Sequence, residues 1–261
     1  MDATELQKKT IGLVLSGGGV RGMGHIGMLK ALKEHGIEPS VVSGSSAGAL
    51  VGALYASGRT TEDMLAFFKE TPLFKYSFLT INKPGLVDTE RYYDIFREYI
   101  PFENFEALSK KLFVVATNLQ KGVEAVFSEG ELIMPLLASA ALPPVFSPVE
   151  MNNTLYADGG IMNNFPTEPL KGKVDFVIGS NVTMIRELRK NEIKSSYQLA
   201  SRTTSLMVYA VNREKIKSCD LILEPRDLED IGALDKKGIE KAYNAGYDNA
   251  SRVLEKLFVT S

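Results

Sequence analysis

Ser46 stands in Gly44-Ser45-Ser46-Ala47-Gly48, a G-x-S-x-G run. A serine hydroxyl attacks well only where a base takes its proton, and a sharp strand-to-helix turn lifts it clear of the backbone. Gly44 and Gly48 permit such a turn, and the N–H of Ala47 then faces an oxyanion forming at the serine. The plain alternative is a serine that caps the following helix. A second signature is Ser16-Gly17-Gly18-Gly19-Val20-Arg21-Gly22. The N–H groups of such a loop, at a helix N-terminus, favour an anion, either a phosphate or a transient oxyanion. Gly17, Gly19 and Gly22 also satisfy the dinucleotide pattern G-x-G-x-x-G. That pattern needs an acidic residue at the end of the next strand, and Val42-Ser43-Gly44-Ser45 has none. A P-loop fails because Met23 stands where its lysine belongs. The third signature is Leu155-Tyr156-Ala157-Asp158-Gly159-Gly160. It reads as a strand, a carboxylate at its end, and two glycines that release the chain. Asp158 is the candidate base, because functional groups gather at the carboxyl ends of strands in such sheets. Taken alone, it reads as an Asx turn.

The only histidines, His25 and His35, both precede Ser46. The order serine, acid, histidine of the α/β-hydrolases is therefore excluded. His25 lies among Ile26, Met28 and Leu29 and reads as structural. His35, just before Gly36, reads as a residue holding a carbonyl at a helix end. Two histidines and one cysteine offer no zinc cluster, so no metal is expected.

Alternating strand and helix patterns must position these residues. Strands are expected at Thr10–Leu15, Ser40–Ser43, Lys111–Ala116, Val123–Ser128, Thr154–Ala157, Val174–Ser180 and Asp220–Leu223. Helices are expected after the glycine loop to about His35, over Ala49–Ser57, Ser196–Lys217 and Gly238–Phe258. Thr61–Phe105 reads as a helical addition rich in aromatics, and Ile185–Lys194 as a charged surface turn. The pattern predicts an α/β fold with a mainly parallel sheet and helices on its faces.

The chain has 261 residues, with 30 basic and 32 acidic, for a net charge of −2. That balance argues against a general nucleic-acid binder. A hydrophobic content of 44% with 24% charged residues is ordinary for a globular protein. One cysteine, Cys219, precludes an internal disulfide and permits a reducing compartment. Met1–Thr10 lacks the apolar core of a signal peptide. The apolar stretch Ile133–Phe146 contains Pro135, Pro143 and Pro144 and falls short of the ~20 residues of a spanning helix. The expected location is cytoplasmic, with any membrane contact peripheral.

In their order, the three signatures resemble the patatin-like phospholipase family, in particular its small bacterial members. Ala138-Ser139-Ala140-Ala141-Leu142-Pro143, Phe146-Ser147-Pro148-Val149 and Asn163-Asn164-Phe165-Pro166 are also similar to family segments. The resemblance covers most of the chain. It implies a three-layer α/β/α fold, one domain over 1–261, and a Ser–Asp dyad without histidine or cofactor. Ser46 is then the nucleophile and Asp158 the base. The loop around Gly17, Gly18 and Gly19 is the oxyanion hole, with Arg21 continuing it. Gly22, Gly44, Gly48, Gly159 and Gly160 complete the motifs. The implied substrate is a phospholipid, a lysophospholipid or another acyl ester. Alternatives are a small-ester carboxylesterase or thioesterase, or a non-catalytic module on the same fold. Asn118 departs from the aspartate that the family often has there, and is read as a local structural change. Phe67–Phe78 and Met134–Phe146 are either acyl-pocket walls or ordinary core. Lys69, Lys75, Lys83 and Lys121 either meet anionic headgroups or are solvated. Oligomeric state is left open.

Overall fold

The computed structural model describes residue 6, residues 8–72 and residues 76–259, without the side chains of residues 76, 197, 201 and 259. Its strands are β1 (Ile11–Leu15), β2 (Val41–Ser45), β3 (Lys111–Asn118), β4 (Val123–Phe127), β5 (Val149–Met151), β6 (Thr154–Asp158), β7 (Phe176–Ser180) and β8 (Leu221–Leu223). Its helices are α1 (Met23–Glu34), α2 (Ala47–Ala56), α3 (Thr61–Glu70), α4 (Tyr93–Tyr99), α5 (Ile133–Ser139), α6 (Ser196–Lys217) and α7 (Ile239–Val259). Among the described residues the strands form one sheet in the order β5-β6-β3-β2-β1-β7-β8, with β4 also on β3.

The sheet is mixed. β3, β2, β1, β7 and β8 run parallel, β4 and β6 run antiparallel to β3, and β5 pairs antiparallel with β6. The strand β5 is not anticipated from its own three residues. It exists because Asn152 and Asn153 both take positive φ, 51° and 60°, and turn the chain back into β6. Two consecutive positive-φ residues are the geometry of a tight hairpin, and asparagine tolerates it.

Side chains alternate across each strand, so the sheet has two cores. Leu13, Leu15, Leu112, Val114 and Ile178 face the larger one, with α1, α2 and α7. Val14, Phe113 and Val177 face a thinner layer made by Phe165, Leu170, Val174, Ile216 and Cys219. On the larger face α1 and α7 cross at glycines. A Cβ on Gly27 would lie 2.0 Å from Tyr243 O, and one on Gly246 would lie 2.0 Å from Gly24 O.

Among the described residues, Phe67, Phe68 and Phe78 of the aromatic segment pack into the core. Phe67 is buried and packs edge-on against Phe68, Phe96 and Tyr99. Phe78, Tyr92 and Phe146 form a second edge-on chain. Phe74 and Lys75 lie outside the described residues. Two lysines considered for headgroups are engaged elsewhere. Lys69 pairs with Glu240, and Lys83 pairs with Asp88 (2.9 Å) and Glu90 (2.8 Å).

Candidate active site

The strand register brings two distant residues together. β2 pairs with β3 as far as Ser45 opposite Val115. β6 arrives from the opposite direction and ends with Asp158 opposite Ala116. β4 pairs with Val114 to Asn118, overlapping both, so it takes the other edge of β3. β2 and β6 therefore share one edge and meet end to end. Ser46 and Asp158 sit at the junction, and Ser46 Oγ donates to Asp158 Oδ2 at 2.6 Å.

The serine is held in a strained turn. Ser46 has φ 53° and ψ −127°, between β2 and α2. A non-glycine residue there needs surrounding contacts to hold it. Ser46 N donates to Ser139 Oγ at 2.9 Å, and Ser139 Oγ donates to Val115 O at 2.6 Å. The turn also needs its glycines. A Cβ on Gly44 would lie 2.6 Å from the carbonyl of Gly48, and one on Gly48 would lie 2.3 Å from Leu15 O.

Asp158 is 3% exposed. Burial pushes its carboxyl up from 3.8 to about 6, against the hydrogen bonds from Ser46 and the Gly160 N–H, which favour the charged form. Gly160 N donates to Oδ1 at 2.8 Å. The backbone is anchored as well: Thr117 Oγ1 donates to Asp158 O at 2.8 Å, and Asp158 N donates to Ala141 O at 3.0 Å. Gly159 lets the chain turn under β3, since a Cβ there would lie 2.1 Å from Val115 O.

The glycine loop packs beside Ser46. A Cβ on Gly17 would lie 3.1 Å from Ser46 Cβ, and one on Gly22 would lie 2.7 Å from Ala47 Cβ. Its donors are unequal. Gly17 N is committed to Asn164 O at 3.1 Å, so Gly17 supplies close approach rather than a donor. Arg21 is likewise engaged, its backbone N with Gly18 O and its Nε with Ile231 O at 2.7 Å. Among the described residues, the N–H groups of Gly18, Gly19 and Ala47 have no protein acceptor. Gly19 adopts φ 59°, which turns the loop past Ala233.

Neither histidine touches the pair. His25 is buried, with Nδ1 2.8 Å from Ser180 Oγ and Nε2 2.9 Å from Ser16 O, and burial lowers its pKa to about 4. It ties the start of the glycine loop to β7. His35 Nδ1 donates to Ala31 O at 2.8 Å, at the end of α1. Asn118 Oδ1 accepts from Lys121 N at 3.0 Å and shapes the β3–β4 turn.

Sequence reasoning did not single out Ser139, Thr117 or Asn164. Asn164 accepts from Gly17 N, and its Oδ1 fills the space that a Cβ on Gly17 or Gly160 would need. Ser139 and Asn164 do fall inside segments noted for their resemblance. No local pattern tells a hydroxyl or amide that holds a neighbouring strand from one that faces water.

Fold and site together define a class. Residues 13–171 match the family model for patatin-like phospholipases, and the chain belongs to that family. Among curated relatives it is 31% identical over 205 residues to an uncharacterized NTE family protein of Mycobacterium tuberculosis (strain ATCC 25618 / H37Rv), covering 76% of this chain and 57% of that protein. It is 31% identical over 219 residues to a probable lipid hydrolase of Invertebrate iridescent virus 6, covering 72% of this chain and 75% of that one. The chain thus spans little more than half of the mycobacterial relative. Its fold is similar to that of VipD from Legionella pneumophila, with a TM-score of 0.55 at 20% identity, over 95% of this chain and 67% of that chain.

Proposed function

We propose that this chain is a serine acyl hydrolase that cleaves carboxylic esters of phospholipids or lysophospholipids. The observation that carries the reading is the 2.6 Å hydrogen bond from Ser46 Oγ to a buried carboxylate. Free aspartate is a weak base at neutral pH, and the upward shift of Asp158 to about 6 brings it nearer the operating range. Family membership and the viral relative described as a probable lipid hydrolase support a lipid substrate.

The reaction proceeds in two halves. Asp158 takes the proton of Ser46 Oγ as Oγ bonds to the ester carbonyl carbon, and the carbonyl oxygen becomes an oxyanion. The N–H groups of Gly18, Gly19 and Ala47 receive that charge. Collapse breaks the bond to the leaving alcohol, which takes the proton from Asp158 and departs. Asp158 then deprotonates a water that attacks the acyl-serine. The fatty acid leaves and Ser46 recovers its proton. Gly160 N keeps the carboxylate oriented through Oδ1 while Oδ2 exchanges the proton.

The test is labelling with a lipid-like fluorophosphonate, read by intact mass and peptide mapping, in wild type, Ser46→Ala and Asp158→Asn. The label is expected on Ser46, absent in Ser46→Ala and strongly reduced in Asp158→Asn. A folded wild type that takes no label, or takes it on another serine, overturns the mechanism. A chain-length series of esters then checks the lipid assignment: activity confined to the shortest acyl chains points to a soluble ester.

A further inference from the structure

The helix α6 leaves a row of large apolar side chains in water. A helix covering a core turns its apolar stripe inward and its polar face to water. In α6 the face against the protein is mixed, with Val208 and Ile216 part-buried beside polar residues. Asn212 is buried and accepts from Phe165 N at 3.1 Å, Lys215 pairs with Glu168 at 2.6 Å, and Arg202 Nη2 donates to Arg186 O at 2.8 Å. The outward face carries Leu199, Leu206, Met207 and Val211, which are 52%, 41%, 70% and 57% exposed. Their spacing of seven, eight and twelve residues from Leu199 puts them on one side of the helix. Large side chains aligned in water mark a contact surface rather than scattered surface residues.

Charge identifies what covers it. Residues 186–217 contain eight basic and three acidic residues, a net +5 in a chain whose total is −2. From Ser196 to Arg213 the helix has no acidic residue. Lys190 and Lys194, just before it, form no ion pair among the described residues. An apolar stripe led in by Lys190 and Lys194, on a segment of net positive charge, fits a helix lying in an anionic lipid interface. A second copy on this face would instead bring two segments of net +5 together.

We propose that the outward face of α6 docks on the surface of an anionic lipid bilayer. The placement suits the function proposed above, on which its purpose rests. The end of α6 hangs from Phe165 and Glu168, and the neighbouring Asn164 touches both Gly17 and Gly160. A bilayer on the outward face of α6 is then one helix away from the segment that follows Asp158.

The experiment is co-sedimentation of the full chain with two kinds of vesicle. One is phosphatidylcholine alone, and the other replaces about one third of it with phosphatidylglycerol. Wild type and Ser46→Ala are both expected to bind the anionic vesicles, about tenfold better than the neutral ones at low salt. The double variant L206E/M207E loses about tenfold of that binding while hydrolysing a soluble short-chain ester as wild type does. K190E/K194E weakens binding to the anionic vesicles and flattens its salt dependence. Wild type that does not sediment with anionic vesicles overturns the proposal, as does L206E/M207E that binds equally well. A wild-type dimer that L206E/M207E dissociates also overturns it, because the covering surface is then a second copy. Vesicle binding is read without turnover, so its failure is separable from failure to label Ser46.

Discussion

A buried carboxylate that acts as a base carries opposing demands. Asp158 must be ionised to accept a proton, yet ionisation inside the protein is costly. A shift from 3.8 to about 6 corresponds to about 3 kcal/mol of stability withheld at pH 7. The sign follows from the raised folded pKa. The folded state binds this proton more tightly, so Asp158 contributes stability as pH falls through 6, complete below 3.8. Activity runs the other way, and ester hydrolysis is expected to rise as pH increases through about 6. Asp158→Asn is expected to abolish that rise and to unfold at a higher temperature than wild type at pH 8. The gain shrinks toward pH 5, which thermal melts at the two pH values will check. Ser46 holds a second conflict, because its φ of 53° with ψ −127° suits glycine better than serine. Ser46→Gly is expected to exceed Ser46→Ala in stability by about 1–2 kcal/mol in urea titrations. Both are expected to lose at least ~10⁴-fold in turnover.

At the scale of elements, the site is a seam between strand ends. β2 stops at Ser45 and β6 stops at Asp158 on the same edge of β3. The seam stays tight because Ser139 bridges Ser46 N and Val115 O across it. Ser139→Ala is expected to lower turnover by about 10²-fold through misplacement of Ser46, while Ser139→Thr restores much of it. Steady-state kinetics of the two variants decide this, since a merely structural hydroxyl would not show rescue in kcat. Gly44 guards the other side of the turn, where a Cβ would meet the Gly48 carbonyl at 2.6 Å. Gly44→Ala is expected to cost about 3 kcal/mol, measured by chemical denaturation.

Across the whole molecule, the buried His25 links the glycine loop to β7 through Ser16 O and Ser180 Oγ. Its folded pKa is lowered to about 4 by burial. The unfolded chain takes up this proton first, so the contribution is intact above pH 6.5 and is lost as pH falls toward 4. Asp158 gains stability over much of the same range, and the two effects oppose each other. Asp158→Asn removes the compensation. Its stability is expected to fall by about 3 kcal/mol between pH 7 and pH 4, more steeply than that of wild type, as urea titrations at the two pH values will show. The uneven distribution of charge belongs to this scale too. A chain of net −2 concentrates +5 on residues 186–217, so vesicle binding by α6 is expected to weaken with salt.

Several features follow from neighbouring residues alone. Gly44 to Gly48 and Asp158 to Gly160 are local turn chemistry, and Ser196–Lys217 appears in the fold with the bounds its pattern predicts. The order of the histidines already excludes a serine–acid–histidine arrangement. Tertiary structure decided what depends on partners far away in the chain. Ser46 and Asp158 are 112 residues apart, and only the register on β3 joins their ends. Gly17 looks equivalent to Gly18 and Gly19 in sequence, yet its N–H is taken by Asn164 O. Phe67, Phe78, Tyr92 and Phe96 turned inward, whereas Leu199, Leu206, Met207 and Val211 of α6 turned outward. Periodicity reports which residues share a face. Which way that face points is set by the packing of every other element, and no single segment encodes it.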